Sequence, residues 1–101
     1  MAYSTTDQVK EVLGITETTW DTEINDCITD ADARIDNKLR NFESTLPLSP
    51  VPTQISIVSK YLAAGLFRER RDPVGAKAFV DTGLAYLAEY IAEKYYVGAT
   101  R

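Results

Sequence analysis

The chain has no histidine and a single cysteine, Cys27. Without imidazole, no side chain titrates unaided near neutral pH, which excludes histidine-based acid–base catalysis and removes the commonest metal ligand. One thiol excludes an internal disulfide and multi-cysteine zinc sites, and Cys27 reads as a small buried hydrophobe. No apolar run approaches the ~20 residues that cross a bilayer, and Met1 is not followed by the basic-then-apolar pattern of a secretory leader. A soluble, membrane-free protein made in the cytoplasm is therefore expected. Glycine (5) and proline (4) are sparse as well. No internal repeat or low-complexity segment is present.

What remains is ample for one domain. At 101 residues, 45% hydrophobic and 26% charged, the chain has globular composition and can bury roughly two-thirds of its unfolded surface. The net charge of −4 is unevenly spread. Residues 1–52 carry 4 basic and 10 acidic side chains, whereas residues 53–101 carry 7 and 5. Wrapping DNA needs a basic patch, so the acidic front half argues against it, although DNA could pass without adhering.

Apolar periodicity predicts an all-α bundle of about four helices. Thr5 followed by Gln8 is a capping-box pattern that opens a short first helix with Val9, Val12 and Leu13 on its apolar edge. Gly14 is placed to end it in the left-handed conformation. A polar connector, ITETTWD, leads to a long amphipathic second helix over Glu23–Phe42. There Ile24, Ile28, Ala31, Ile35, Leu39 and Phe42 fall within about 60° of one another on the helical wheel. Arg34 and Lys38 flank that stripe, able to pair with Asp30 or to lay their stems over the core edge. Residues 43–51, ESTLPLSPV, hold two prolines and form a loop anchored by Leu46, Leu48 and Val51.

Pro52 suits the first position of a third helix running to Arg71, with Ile55, Val58, Leu62 and Leu66 on one stripe. Ile57, Tyr61 and Ala64 form a second strip roughly opposite, so this helix must be covered on two sides. Asp72 and Pro73 then start a fourth helix through Val80, Leu84, Leu87 and Ile91, ending before Gly98 and pairing antiparallel with the third. Phe79, Tyr86 and Tyr90 make an aromatic strip beside its apolar one, and Ala78, Ala85 and Ala92 a smooth strip on the far side. A single domain over 1–101 is expected, with a flexible tail from about residue 96.

No catalytic, cofactor-binding or metal-ligating set emerges, and no nucleophile–base pair or cofactor loop supports an enzyme. Glu23, Asp26, Asp30 and Asp36 read either as a carboxylate cluster or as a solvated helix face, and nothing focuses them on one ion. Arg68, Arg70 and Arg71 suit a partner's anionic groups, or simply the negative end of a helix dipole. Ile57, Tyr61, Ala64, Phe79, Tyr86 and Tyr90 exceed the apolar surface that four short helices can hide, which implies self-association. The first two helices and their connector superficially match helix-turn-helix spacing, so a small helical regulatory or DNA-binding module is the rival reading. The acidic second helix opposes it.

The opening Tyr3, Thr5, Asp7, Gln8, Val9 and Lys10, then Val12-Leu13-Gly14, then Ile24, Ile28 and Ile35-Asp36-x-x-Leu39, resembles the small head-tail connector (adaptor) proteins of tailed phages. The likeness continues through Val51-Pro52 and Tyr61-Leu62-Ala63-Ala64 and so covers most of the chain. It implies a non-enzymatic virion protein of the neck that forms a homo-oligomeric ring, typically of about twelve subunits with two complementary faces each. Such a ring lies below the portal protein, extends the DNA channel and docks a downstream connector, stopper or tail-completion protein. DNA is then cargo only, passing an acidic face. The resemblance also makes the C-terminal segment after Tyr95, with Tyr96 and Arg101, a candidate contact to the portal; Tyr95 and, on their own chemistry, Arg68, Arg70 and Arg71 are the further candidates for a portal or partner contact.

Overall fold

The computed structural model describes residues 2–95. These residues form four helices, α1 (Thr6–Leu13), α2 (Asp21–Leu39), α3 (Thr53–Glu69) and α4 (Pro73–Tyr95), and no strand. The third helix is the centre: α1, α2 and α4 all pack on it, while α4 packs principally on α3. The expected tail, with Tyr96 and Arg101, lies outside the described residues.

Local chemistry explains the boundaries. At the start of α1, the Gln8 backbone N–H donates to Thr5 Oγ1 at 3.2 Å and the Thr5 N–H donates to Gln8 Oε1 at 2.9 Å. This capping box satisfies two otherwise orphaned donors and contributes about 1 kcal/mol. Gly14 ends the helix at φ 74°, a conformation that a Cβ would strain. Asp21 begins α2, two residues before the predicted start, and its carboxylate pairs with Lys10 of α1. Leu39 ends α2 three residues before the prediction. The N–H groups of Phe42 and Glu43 both turn back onto the Leu39 carbonyl, at 2.9 Å each. That turn carries Phe42 off the α2 stripe and stacks its ring on Tyr95 of α4, centroids 4.8 Å apart.

Pro52 serves as the residue just before α3, one position earlier than expected, and its carbonyl accepts from Ile55 and Ser56. Asp72 caps α4 by accepting the Gly75 N–H at 3.1 Å, with Pro73 as the first helical residue. Leu48 anchors the proline loop, being buried and donating its N–H to the Tyr3 hydroxyl.

The core is the one expected along α2 and α3. Ile24, Ile28, Ala31, Ile35, Leu39, Ile55, Val58 and Leu62 are all buried, with Cys27 among them. The fourth helix is rotated from its predicted stripe. Ala76, Gly83, Leu87 and Tyr90 face inward, Val80 and Ile91 sit at the edge, and Leu84 is 42% exposed. Two glycines explain the rotation. A Cβ on Gly83 would lie 3.0 Å from Leu62 Cγ, and one on Gly65 would lie 2.6 Å from Val80 Cγ2. One glycine on each helix opposite a branched side chain of the other draws the two backbones together, and α4 turns its glycine rather than Leu84 toward α3.

Candidate assembly surface

Because α4 stands at the edge of the bundle, it has two flanks, and each is apolar. On one flank Tyr61 of α3 stacks on Tyr86 of α4, with ring centroids 6.0 Å apart and planes at 23°. Ile57 precedes Tyr61 by one turn on the same side, and Phe79 precedes Tyr86 by two. The Arg68 guanidinium lies 5.9 Å from the Phe79 ring centre. Ile57, Tyr61 and Phe79 are half-buried and Tyr86 is 39% exposed, so this is an aromatic plate open to solvent.

Two residues expected on that plate are absorbed by the subunit itself. Ala64 has no exposed surface, because α3 is enclosed by three helices and its small side chains face them. Tyr90 is buried beside Leu87 on the inner side of α4, its ring edge-on to Tyr95 and its hydroxyl accepting from Lys94 Nζ at 3.2 Å.

The other flank is a groove of about 240 Å³ between α2 and α4, lined by Leu62, Val80, Leu84 and Leu87 and rimmed by Arg34 and Lys38. Arg34 does not pair with Asp30; the two cations make no ion pair among the described residues, and their stems line the groove instead. Toward the other end of α2, beyond Arg34, lies a polar hollow of about 520 Å³ lined by Asp26, Cys27, Asp30, Leu66, Glu69 and Arg70.

The arginine and acidic sets separate by role. Glu23 is clamped by Arg71 through two parallel bonds of 3.0 and 3.1 Å and by Arg70 at 3.2 Å. Arg71 also lies over Phe67, at 4.1 Å, and Trp20, at 4.6 Å, and donates to the Phe67 carbonyl. This sandwich joins the start of α2 to the end of α3, and the hydrogen bond from Arg71 holds the Glu23 carboxyl below its ordinary range. Arg70 and Arg71 are thus engaged inside the subunit, while Arg68 reaches Asp72 only loosely, at 3.7 Å.

Asp36 is likewise engaged, accepting the Tyr3 hydroxyl. Its neighbour Asp32 accepts the Tyr3 N–H at 2.8 Å and the Ser59 hydroxyl at 2.7 Å, and Ser59 shares a 2.6 Å bond with Ser4. This buried polar knot ties the N-terminal segment to α2, α3 and the proline loop. Burial is the largest cause that raises the Asp32 carboxyl and the Tyr3 phenol above their ordinary values. Of the four acidic positions singled out in the sequence, Asp26 and Asp30 alone stay exposed without an ionic partner among the described residues. Among the described residues, no group of three or more carboxylates and thiols is placed to hold a metal ion. Tyr95 is tied down as well: its hydroxyl bonds Glu43, which also meets Lys94.

Gly65, Gly83, Leu84 and the free ends of Arg34 and Lys38 were not picked out as site residues by sequence reasoning. Glycines carry no hydrophobic signal. Only the antiparallel pairing of α3 and α4 could have suggested that two of them meet the opposite helix.

The described residues thus form a small all-α bundle with apolar surface left exposed on both flanks of α4. The profile of the phage gp6-like head-tail connector protein family matches residues 3–95, and the chain belongs to that family. It is therefore a structural connector component of a phage virion, which assembles with other head and tail proteins. Comparison with curated proteins and with solved structures gives no match. No helix among the described residues is long and apolar enough to cross a membrane.

Proposed function

We propose that the chain is the repeating subunit of a ring below the portal, which continues the DNA channel and offers a docking face to the next neck or tail component. The observation that carries this reading is the state of α4. A helix that packs on one neighbour should be polar elsewhere, yet Val74 is 87%, Leu84 42% and Tyr86 39% exposed, and Ala78, Ala85, Ala88 and Ala92 are exposed too. Apolar surface on both flanks of one edge suits a subunit with a neighbour on each side, the heterologous contact that closes into a ring. About twelve subunits is the number carried over from the resemblance. Asp26 and Asp30 supply acidic surface past which DNA would move without adhering, and Arg68 is the one cation of its cluster loosely enough held to reach a portal or downstream protein.

The purified chain, alone or mixed with portal protein, should give ring-shaped particles of one uniform mass by electron microscopy and native mass measurement. A strict monomer that ignores portal at high concentration contradicts the proposal.

A further inference from the structure

The two flanks of α4 carry opposite charge at matching heights. Asp32 beside Ser59 and Glu23 beside Arg70 show that α2 runs antiparallel to α3. Tyr86 beside Tyr61 and Val80 beside Gly65 show the same for α4. Counting along the helices from these pairs, Arg34 and Lys38 on the groove side stand level with Glu89 and Glu93 on the aromatic side. Glu89 and Glu93 are exposed and, like Arg34 and Lys38, have no ionic partner among the described residues.

We infer that the occupant of the α2–α4 groove is the aromatic flank of a second copy of this chain. Tyr86 and Phe79 of one subunit meet Leu84, Val80 and Leu62 of the next, while Glu89 and Glu93 meet Arg34 and Lys38. A rotation axis roughly parallel to α3 keeps the heights in register, so these four charges find their opposites around a closed ring. The same pattern rejects wrong pairings. Two grooves face to face set Arg34 and Lys38 against themselves, and two aromatic flanks set Glu89 and Glu93 against themselves, which leaves the head-to-tail contact as the one that sets these four side chains against opposite charge.

This inference rests on the ring reading and is tested by charge exchange in the full chain. One variant carries Arg34→Glu and Lys38→Glu, the other Glu89→Lys and Glu93→Lys; all four positions are exposed, and far-ultraviolet circular dichroism verifies folding. Under conditions that assemble the unaltered chain, each variant alone should stay monomeric, because each then meets like charge on its neighbour. Mixing the two should restore oligomers containing both variants, since each supplies the charge that the other's faces now require. Rescue on mixing cannot come from a chain that has failed to fold. If the unaltered chain assembles and both variants assemble as well as it does, or mixing two monomeric variants restores nothing, this contact is wrong while the ring stands. Absence of assembly by the unaltered chain, with or without portal, overturns the ring reading and this contact together.

Discussion

Tyr61 and Tyr86 stack across α3 and α4 with centroids 6.0 Å apart, yet both keep one side open to solvent. The pair is half a contact: enough to hold two helices together and too exposed to be a finished core. Replacing Tyr86 by alanine should cost the subunit about 1.5–3 kcal/mol of stability, the ring-pair term together with the part of the ring that is covered, while weakening self-association at least tenfold. Denaturant unfolding of the dilute chain and sedimentation of the concentrated one separate the two effects. Equal loss in both would return Tyr86 to the core.

Ile57 and Ala64 looked equivalent in sequence and are not in the structure. A polar residue at half-buried Ile57, such as Ile57→Asn, should leave the melting temperature within a few degrees and impair assembly. Ala64→Asn inserts a larger polar side chain where no surface is exposed, and overpacking with an unpaired amide should cost roughly 2–4 kcal/mol in folding. Thermal melts of the two variants in parallel are sufficient, and similar melting temperatures would show that the strip is not divided in this way.

The close approach of α3 and α4 makes Gly65 sensitive. A methyl group there would lie 2.6 Å from Val80 Cγ2 and 3.2 Å from the Val80 backbone nitrogen. Gly65→Ala should therefore destabilise by about 1–3 kcal/mol despite the better helix propensity of alanine. Adding Val80→Ala removes the nearer clash but not the backbone one, so the double variant should recover part of the loss relative to the sum of the single changes. Strict additivity in a double-mutant cycle would mean that the two positions do not touch.

How far sequence carried the reading depends on how polar each helix is. The first two helices alternate sharply between apolar and charged residues, so the Thr5–Gln8 cap, the Gly14 stop and the Ile24-to-Leu39 stripe were all legible. The fourth helix is apolar on nearly every side, which leaves its rotation undetermined by pattern; glycine at 83 decided it, and Leu84 went to the surface. The Glu23–Arg71 clamp joins residues 48 positions apart, beyond any local periodicity. The arginine cluster could therefore be recognised as cationic, but its engagement with the very acidic residue assigned to the open face could not. Phe42 was misplaced for a related reason, because its stacking partner Tyr95 lies on another helix.

Two carboxylates should titrate in opposite directions. Glu23 lies below its ordinary 4.5 because of its bond from Arg71, so its contribution to stability is full above that value and is lost as pH falls through the folded one. Asp32 lies above its ordinary 3.8 because of burial, so the fold favours its protonated form. Its contribution is present below 3.8 and is lost as pH rises through the raised folded value. Carbon-13 carboxyl shifts should place the Asp32 midpoint above 3.8 and that of Glu23 below 4.5. Glu23→Gln should also flatten the acid limb of a stability profile. Asp32→Asn should remove the opposing slope at a cost of no more than about 1 kcal/mol, since the amide oxygen can accept the Tyr3 N–H while the amide nitrogen donates to the Ser59 hydroxyl, which in turn donates to Ser4.

The central claim is that another copy of the chain covers both flanks of α4, and hydroxyl-radical footprinting read by mass spectrometry tests it most directly. Comparing the dilute monomer with the assembled form, Tyr86, Tyr61 and Leu84 should lose most of their reactivity together, because one contact buries the aromatic flank of one subunit and the groove of the next. Unchanged reactivity of Tyr86 and Leu84 in an oligomer that has demonstrably formed would contradict the account.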